Sequence, residues 1–410
     1  MIDRRRFLRT SAAAGAAAAL GPAFWRSAYA DTAEPGVGPY GPPAGPDENG
    51  RWLPEGFRSR VVARSGLPVP GTTYPWPIFP DGAATFPAPD GGWWYVVNSE
   101  VPAGLGGASA IKFGPYGRIE DAYRILAGTS GNCAGGPTPW GTWLSCEEAQ
   151  AQTNIGEGQV WECDPTQPGQ GVVRPAMGAF NHEAVAVDPE RQRLYLTEDR
   201  PDGRLYRFTP EAYPDLSAGL LEVASVGDDA RVSWLPVPDP SASEQTTRTQ
   251  VSESTAFNGG EGCWYDAGIV YFTTKGDNRV WALHTAKDHL EVIYDAATAG
   301  PAAPLTGVDN VVVAPSGDLY VAEDGGNMEI CLITPGPDRT VSPFLHYEGN
   351  DSSELTGPVF DPSGTRLYFS SQRGPAPVGS GITFEVTGPF RTATRGPGHG
   401  GPGTGSKGRR

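Results

Sequence analysis

Apolar runs along this 410-residue chain are short, and again and again they end in polar residues. Trp93-Trp94-Tyr95-Val96-Val97 runs into Asn98-Ser99-Glu100, and Gly141-Thr142-Trp143-Leu144-Ser145-Cys146 runs into Glu147-Glu148. The same form recurs at 194–199, 269–277, 319–324 and 367–373. β-Branched and aromatic residues dominate the runs, which suits strands, and helical periodicity is nearly absent after the first thirty residues. With Glu100, Glu148, Glu198, Asp277, Glu323 and Arg373 as marks, the spacings are 48, 50, 79, 46 and 50 residues. A period near fifty with a few strands per unit predicts an all-β fold, a six-bladed β-propeller. The abundant Gly (56) and Pro (41) fall between the runs and are taken as turns.

Three of the runs follow another short strand across a turn. Residues 184–188 lead through Asp188-Pro189, 311–314 through Pro315-Ser316-Gly317, and 359–361 through Pro362-Ser363-Gly364. The start of the first strand and the end of the second then share one edge of a hairpin. The starts are Glu183, Glu261, Asp309 and Thr356. The ends are Glu198/Asp199, Asp277, Glu323/Asp324 and Arg373. Around a propeller axis that edge forms one face, so the repeat gathers carboxylates at one mouth of the channel.

The propeller is expected over 51–390, with the long interval explained by an insertion at about 209–255, rich in Asp, Pro, Ser and Thr. Residues 31–50 are expected to be a flexible linker and 391–410 a disordered basic tail. Residues 1–30 form a leader: Arg4-Arg5-Arg6-Phe7-Leu8-Arg9 is a twin-arginine core, an Ala-rich run follows, and Ala28-Tyr29-Ala30 is a small-x-small cleavage site. The run is too short for a stable membrane span. The chain is therefore expected to be exported by the twin-arginine pathway, to the periplasm, cell surface or medium, and to act as a monomer.

Formal charge is −16. The leader contributes +4 and the tail +5, so residues 31–390 carry −25. Such a core argues against nucleic acid and anionic membranes as partners. It suits cations if the carboxylates converge, and plain surface acidity if they do not. Calcium accepts six to eight oxygens in loose geometry. Cys133, fourteen residues ahead of Glu147 and fifteen ahead of Glu148, adds a soft ligand that favours a transition metal. Five His argue against an imidazole zinc site. Five Cys in an exported chain leave at least one thiol unpaired or liganded, and pairing among Cys146, Cys163, Cys263 and Cys331 stays open. Gly131-Asn132-Cys133-Ala134-Gly135 has the outline of a nucleophile elbow, but Gly135-Gly136-Pro137-Thr138-Pro139 starts no helix and His182 is the only His near a carboxylate cluster. Trp140, Trp143, Trp264 and Trp281 are expected in the core.

The segments 132–148, 181–188, Val308-Asp309-Asn310 and 356–360 together resemble the signature of the PhoX-type alkaline phosphatases, of which this chain looks like a shorter, divergent member. The resemblance implies a six-bladed propeller with an Fe(III) pair bridged by a Cys and several Ca²⁺ ions in one end of the channel. By motif match Cys133 would be the bridging thiolate, and Glu183 and Glu261 iron ligands. Asn98, Glu100, Glu147, Glu148, Asp199, Asp309 and Glu323 would serve the calcium shell. The substrate would be a small phosphomonoester. The chain departs from the family pattern where an Arg-Pro pair precedes the second iron-binding Glu, because Gly259-Gly260 precede Glu261 here. A phosphoryl group in transfer needs cationic clamps, and Arg373 or Arg200 would have to take that part. Cys133, Glu183, Glu261 and Arg373 are thus the candidate catalytic residues. A calcium-dependent lactonase or esterase, or a non-catalytic binding propeller, are the alternatives. Propeller lactonases use calcium without a thiolate, so Cys133 separates them.

Overall fold

The polar-ended runs are all strands, and each is the second strand of its own antiparallel sheet. They are β4 (Trp93–Ser99), β8 (Trp143–Glu147), β12 (Arg193–Glu198), β17 (Ile269–Thr274), β21 (Leu319–Glu323) and β25 (Arg366–Ser371), with strands numbered in chain order. The computed structural model describes residues 32–148, 158–375, 377 and 379–392. Inside each second strand lies the first: β3 (Pro80–Pro87), β7 (Asn132–Pro137), β11 (His182–Asp188), β16 (Gly260–Asp266), β20 (Val308–Val313) and β24 (Leu355–Phe360). The six sheets stand around a common axis as a six-bladed β-propeller, as the repeat predicts.

The N-terminal segment closes the ring. Strand β2 (Arg58–Arg64) pairs antiparallel with the last strand, β26 (Ile382–Thr387), and becomes the outer strand of the sixth blade. Glu385, buried on β26, accepts both Arg60 from β2, at 2.7 Å and 2.8 Å, and Arg366 from β25, at 2.9 Å. Ahead of it, β1 (Glu34–Pro35) pairs parallel with β23 (Thr340–His346) on the fifth blade.

Two expectations about boundaries are corrected here. Residues 32–50 are not a flexible linker. Ala33 is buried, and Tyr40 packs edge-on against Phe57 with ring centroids 5.0 Å apart. Asp47 accepts the Ser59 backbone N–H at 2.7 Å. Short polar stretches with Pro and Gly gave no period, yet they dock on an existing edge. Residues 209–255 are likewise not an insertion throughout. They hold the end of β13 (Leu205–Ala212), all of β14 (Asp215–Val226) and β15 (Val232–Pro236), the outer strands of the third blade. The long interval is a fifth strand and its connection. Residues 1–31 and 393–410 lie outside the described residues. Arg391 pairs with Asp318 and so belongs to the propeller.

The interior is apolar between blades. Trp143 and Trp281 are fully buried, and Trp140 and Trp264 lie partly buried against the core. All five cysteines are free thiols, and Cys146, Cys163, Cys263 and Cys331 are buried core residues.

Every first strand is broken at the same place. The register slips between Pro80 and Ala83, Asn132 and Gly135, His182 and Val185, Gly260 and Cys263, Val308 and Val311, and Thr356 and Val359. Each slip frees two residues from the ladder and re-aims a side chain, the usual work of a β-bulge. The bulged strands pack tightly about the axis, which only small residues permit. A Cβ on Gly262 would stand 2.6 Å from Val311 N, and one on Gly136 would stand 1.7 Å from Val185 O. Gly262→Ala should therefore cost about 1–3 kcal/mol of overpacking strain. A lowered urea midpoint with an unchanged slope checks this, and a midpoint equal to that of the unmodified protein refutes it.

Candidate metal centre at the mouth of the propeller

The first residue of each bulge is Asp81, Cys133, Glu183, Glu261, Asp309 and, in the sixth blade, Gly357. Five blades thus offer a metal-ligating side chain at one structural position. Ligand atoms of Glu183, Glu261 and Asp309 all lie within 4.8 Å of one another, and so do those of Asp81, Glu100 and Cys133. The Cys133 thiol donates to Asp81 Oδ2 at 3.6 Å. The carboxylates of this inner ring are all buried.

An outer ring comes from the residue just past each second strand. It reads Glu100, Glu148, Asp199, Lys275, Asp324 and Gln372 around the blades. Gln372 Nε2 donates to Asp81 Oδ2 and Glu100 Oε2, both at 2.6 Å. Lys275 Nζ lies 2.7 Å from Glu261 Oε1, 3.5 Å from Asp324 Oδ2 and 3.6 Å from Asp199 Oδ2. Asn181 Nδ2 donates to Glu148 Oε1 at 2.8 Å, and Arg200 donates to Asn181 Oδ1 at 3.0 Å. Arg373 reaches Glu354 Oε1 at 3.1 Å and Asp324 Oδ1 at 3.7 Å.

Burial and like charge act together on these acids. Burial, then Glu261 and Glu148, hold Glu183 well above the usual carboxylate range. Burial, then Asp199 and Glu100, push Glu148 up to about 8, and burial above all takes Asp309 to about 7. Burial and the acids Asp81 and Glu183 raise the Cys133 thiol as well. For Lys275, burial opposes the charge, but Glu261, Asp199, Asp309 and Asp324 win and hold the ammonium. Both oxygens of Glu183 are buried without a hydrogen-bond partner, as is Oδ1 of Asp81. Buried carboxylate oxygens left without partners are costly, and a cation among them removes the cost. A thiol beside several carboxylates is a donor set that fits a transition metal together with an oxygen-liking ion such as calcium.

The structure brings Glu100, Cys133, Glu148, Glu183, Asp199, Glu261 and Asp309 of the sequence candidates to the two rings. Arg373 stands beside the outer ring, on Asp324 and Glu354. Three candidates lie elsewhere. Asn98 is buried inside the interface of the first two blades. Its Nδ2 donates to the carbonyls of Cys133 (3.2 Å) and Ala134 (2.7 Å), while its Oδ1 accepts from Trp143 Nε1 and Ser145 Oγ, each at 2.8 Å. That makes it a support of the Cys133 bulge, matched by Thr197 on the Glu261 carbonyl and Thr273 on the Asp309 carbonyl. Glu147 accepts Ser130 N at 2.9 Å, and Glu323 accepts Thr306 N at 2.7 Å and Glu329 N at 3.0 Å. Both point into their own blades because neighbouring strand residues face opposite ways. Asp277, one of the spacing marks, pairs with Arg279, and the ring position belongs to Lys275 two residues earlier. Thr356 donates to Pro80 O at 2.9 Å and leaves the bulge position to Gly357.

Asp81, Lys275, Glu354 and Gln372 were not foreseen as site residues, and Asp324 was placed at the mouth by the repeat but not among the metal ligands. Asp81 was legible in principle, since it stands 52 residues before Cys133 and Cys133 stands 50 before Glu183. Its Asp-Gly dipeptide reads as a turn, which hid it.

An acidic-mouthed, six-bladed propeller with one thiol among its pore carboxylates is the class that fold and site define. Residues 102–301 match the family described as alkaline phosphatase PhoX. That match spans 200 of the chain's 410 residues. Residues 1–21 match the twin-arginine translocation signal sequence, which addresses the chain for export by that pathway. Among solved structures, PhoX of Pseudomonas fluorescens in complex with vanadate, a transition state analogue, superposes with a TM-score of 0.69 at 16% identity, covering 85% of this chain and 97% of that one. At this identity the likeness establishes the fold. A gluconolactonase of Xanthomonas campestris reaches a TM-score of 0.44 at 14% identity, over 86% of this chain and 99% of that one, too low to bear on function. No curated protein sequence matches. No helix among the described residues is long and apolar enough to cross a membrane.

The raised carboxyl groups set a pH dependence. Between about 4 and about 8 the folded, metal-free protein holds protons on Glu148 and Asp309 that the unfolded chain has released. Its stability should therefore fall as pH rises through that window. Calcium should flatten the fall, because it competes with those protons. Urea midpoints measured from pH 4.5 to 8.5, in chelator and in calcium, check this. A chelator-treated protein that gains stability over that window contradicts it.

Proposed function

We propose that this chain is an exported, metal-dependent phosphatase acting on phosphomonoesters at the propeller mouth. The observation that carries the reading is Glu183, whose two buried oxygens have no partner, which offers a ligand atom within 4.8 Å of those of Glu261 and Asp309, and whose charge is felt by the Cys133 thiol. Cys133, Glu183 and Glu261, with Asp81, form the donor set for iron. Glu100, Glu148, Asp199 and Asp309 offer the oxygens that calcium takes. When bound, such ions would polarise a phosphoryl oxygen and offset charge developing on it. The protein's own part is positional. The bulges fix where each carboxylate points, and the buried inner ring excludes bulk water. Arg373 and Arg200 place positive charge at the rim, where a phosphate dianion arrives. The family resemblance supports the reaction class, and the thiol favours this reading over an all-oxygen calcium lactonase.

The test joins metal analysis and p-nitrophenyl phosphate hydrolysis on one sample of purified protein. Iron and calcium with turnover support the reading, and a well-folded protein without iron sinks it. Glu183→Gln should lower kcat by at least about 100-fold, the scale of losing a principal electrostatic stabiliser. Cys133→Ala should lose iron while the far-ultraviolet circular dichroism stays that of the parent. Retention of iron by that variant would remove Cys133 from the site.

A further inference from the structure

Lys275 breaks the pattern of its ring. The equivalent positions in the other blades hold Glu100, Glu148, Asp199, Asp324 and Gln372, so four blades present carboxylates, one turns the amide N–H of Gln372 onto Asp81 and Glu100, and one presents an ammonium. That ammonium does not turn to solvent. It sits among acids of three consecutive blades, 2.7 Å from Glu261, 3.5 Å from Asp324 and 3.6 Å from Asp199. Its root is fixed by the hydrogen bond from Lys275 N to Gly259 O at 2.7 Å. Converging oxygens from three carboxylates are what a divalent ion ordinarily bridges.

We propose that Lys275 is a resident cation of the pore: it holds Asp199, Glu261 and Asp324 together where a divalent, oxygen-liking ion such as calcium would otherwise sit, and so lowers by one the number of ions the chain binds. The inference rests on the metal-centre reading of the same mouth, but its readout is ion count and stability, not turnover. One charge on lysine against three carboxylates leaves a net negative pocket. Removing that charge while keeping the carboxylates should make the pocket a calcium site. An arginine keeps the charge and should not.

The test compares the unmodified protein with K275Q and K275R. Each is equilibrated with calcium chloride, desalted and assayed for calcium per chain, and each is melted in chelator and in calcium. K275Q is expected to bind one more calcium per chain than the unmodified protein. It should melt lower than that protein in chelator and recover in calcium, while K275R behaves as the unmodified protein. Equal calcium content in folded K275Q and unmodified protein overturns the proposal. So does a gain of calcium by K275R, and so does K275Q that folds in neither medium, since lysine would then do something calcium cannot replace. An unmodified protein free of all metal would sink the phosphatase reading, yet a calcium gained by K275Q would still support the role given to Lys275.

Discussion

Mutual repulsion among carboxylates confined to one small volume is the constraint on which this architecture turns. Unit charges about 4 Å apart cost on the order of 4 kcal/mol at an intermediate dielectric, and the inner ring holds three such groups within 4.8 Å. A flexible scaffold would relax by letting the acids swing apart. This one resists, because each acid is the first residue of a bulge locked between neighbouring blades. Asn98, Thr197 and Thr273 bond the carbonyls that three of those bulges release from the ladder. Small residues such as Gly262 then let the strands close around the axis. The hydrophobic interfaces between blades thus supply the stability that holds an unfavourable charge cluster in place.

The mouth is built of two rings. Acids lie deep on the first strands, while Lys275, Arg200 and Arg373 stand in or beside the outer ring. The outer ring itself interleaves Lys275 with Glu100, Glu148, Asp199 and Asp324, so its cations stand paired with acids rather than ahead of them.

Blade number was legible because the polar-ended runs mark the second strand of every blade, and their period survived even where one mark, Asp277, was two residues off. Which acids converge was only half legible. Two residues in succession at a strand end, such as Glu147-Glu148 or Glu323-Asp324, look alike in sequence, and the alternation of a strand sends one into the blade and the other to the pore. A one-residue choice of register decides between them. Asn98 misled for a related reason: its amide is as good a metal ligand as it is a partner for two carbonyls and an indole, and only the interface shows which it serves. Asp81 was hidden by turn chemistry. The docking of 32–50 was invisible because it depends on partners distant in sequence, among them the edge of β23 in the fifth blade.

The pairing of β2 with β26 has a consequence for the order in which the molecule is made. Strand β2 emerges early in synthesis, but its partner β26 includes residues 382–387. At ordinary rates of about 5–20 residues per second, β2 waits on the order of tens of seconds with its hydrogen-bonding edge unmatched. Until the last blade is translated the sixth sheet cannot be completed and the circle stays open. Closure therefore comes only after residue 387 has been made, and a leader read by a pathway that moves folded cargo suits a chain in which β2 and β26 must meet before it travels.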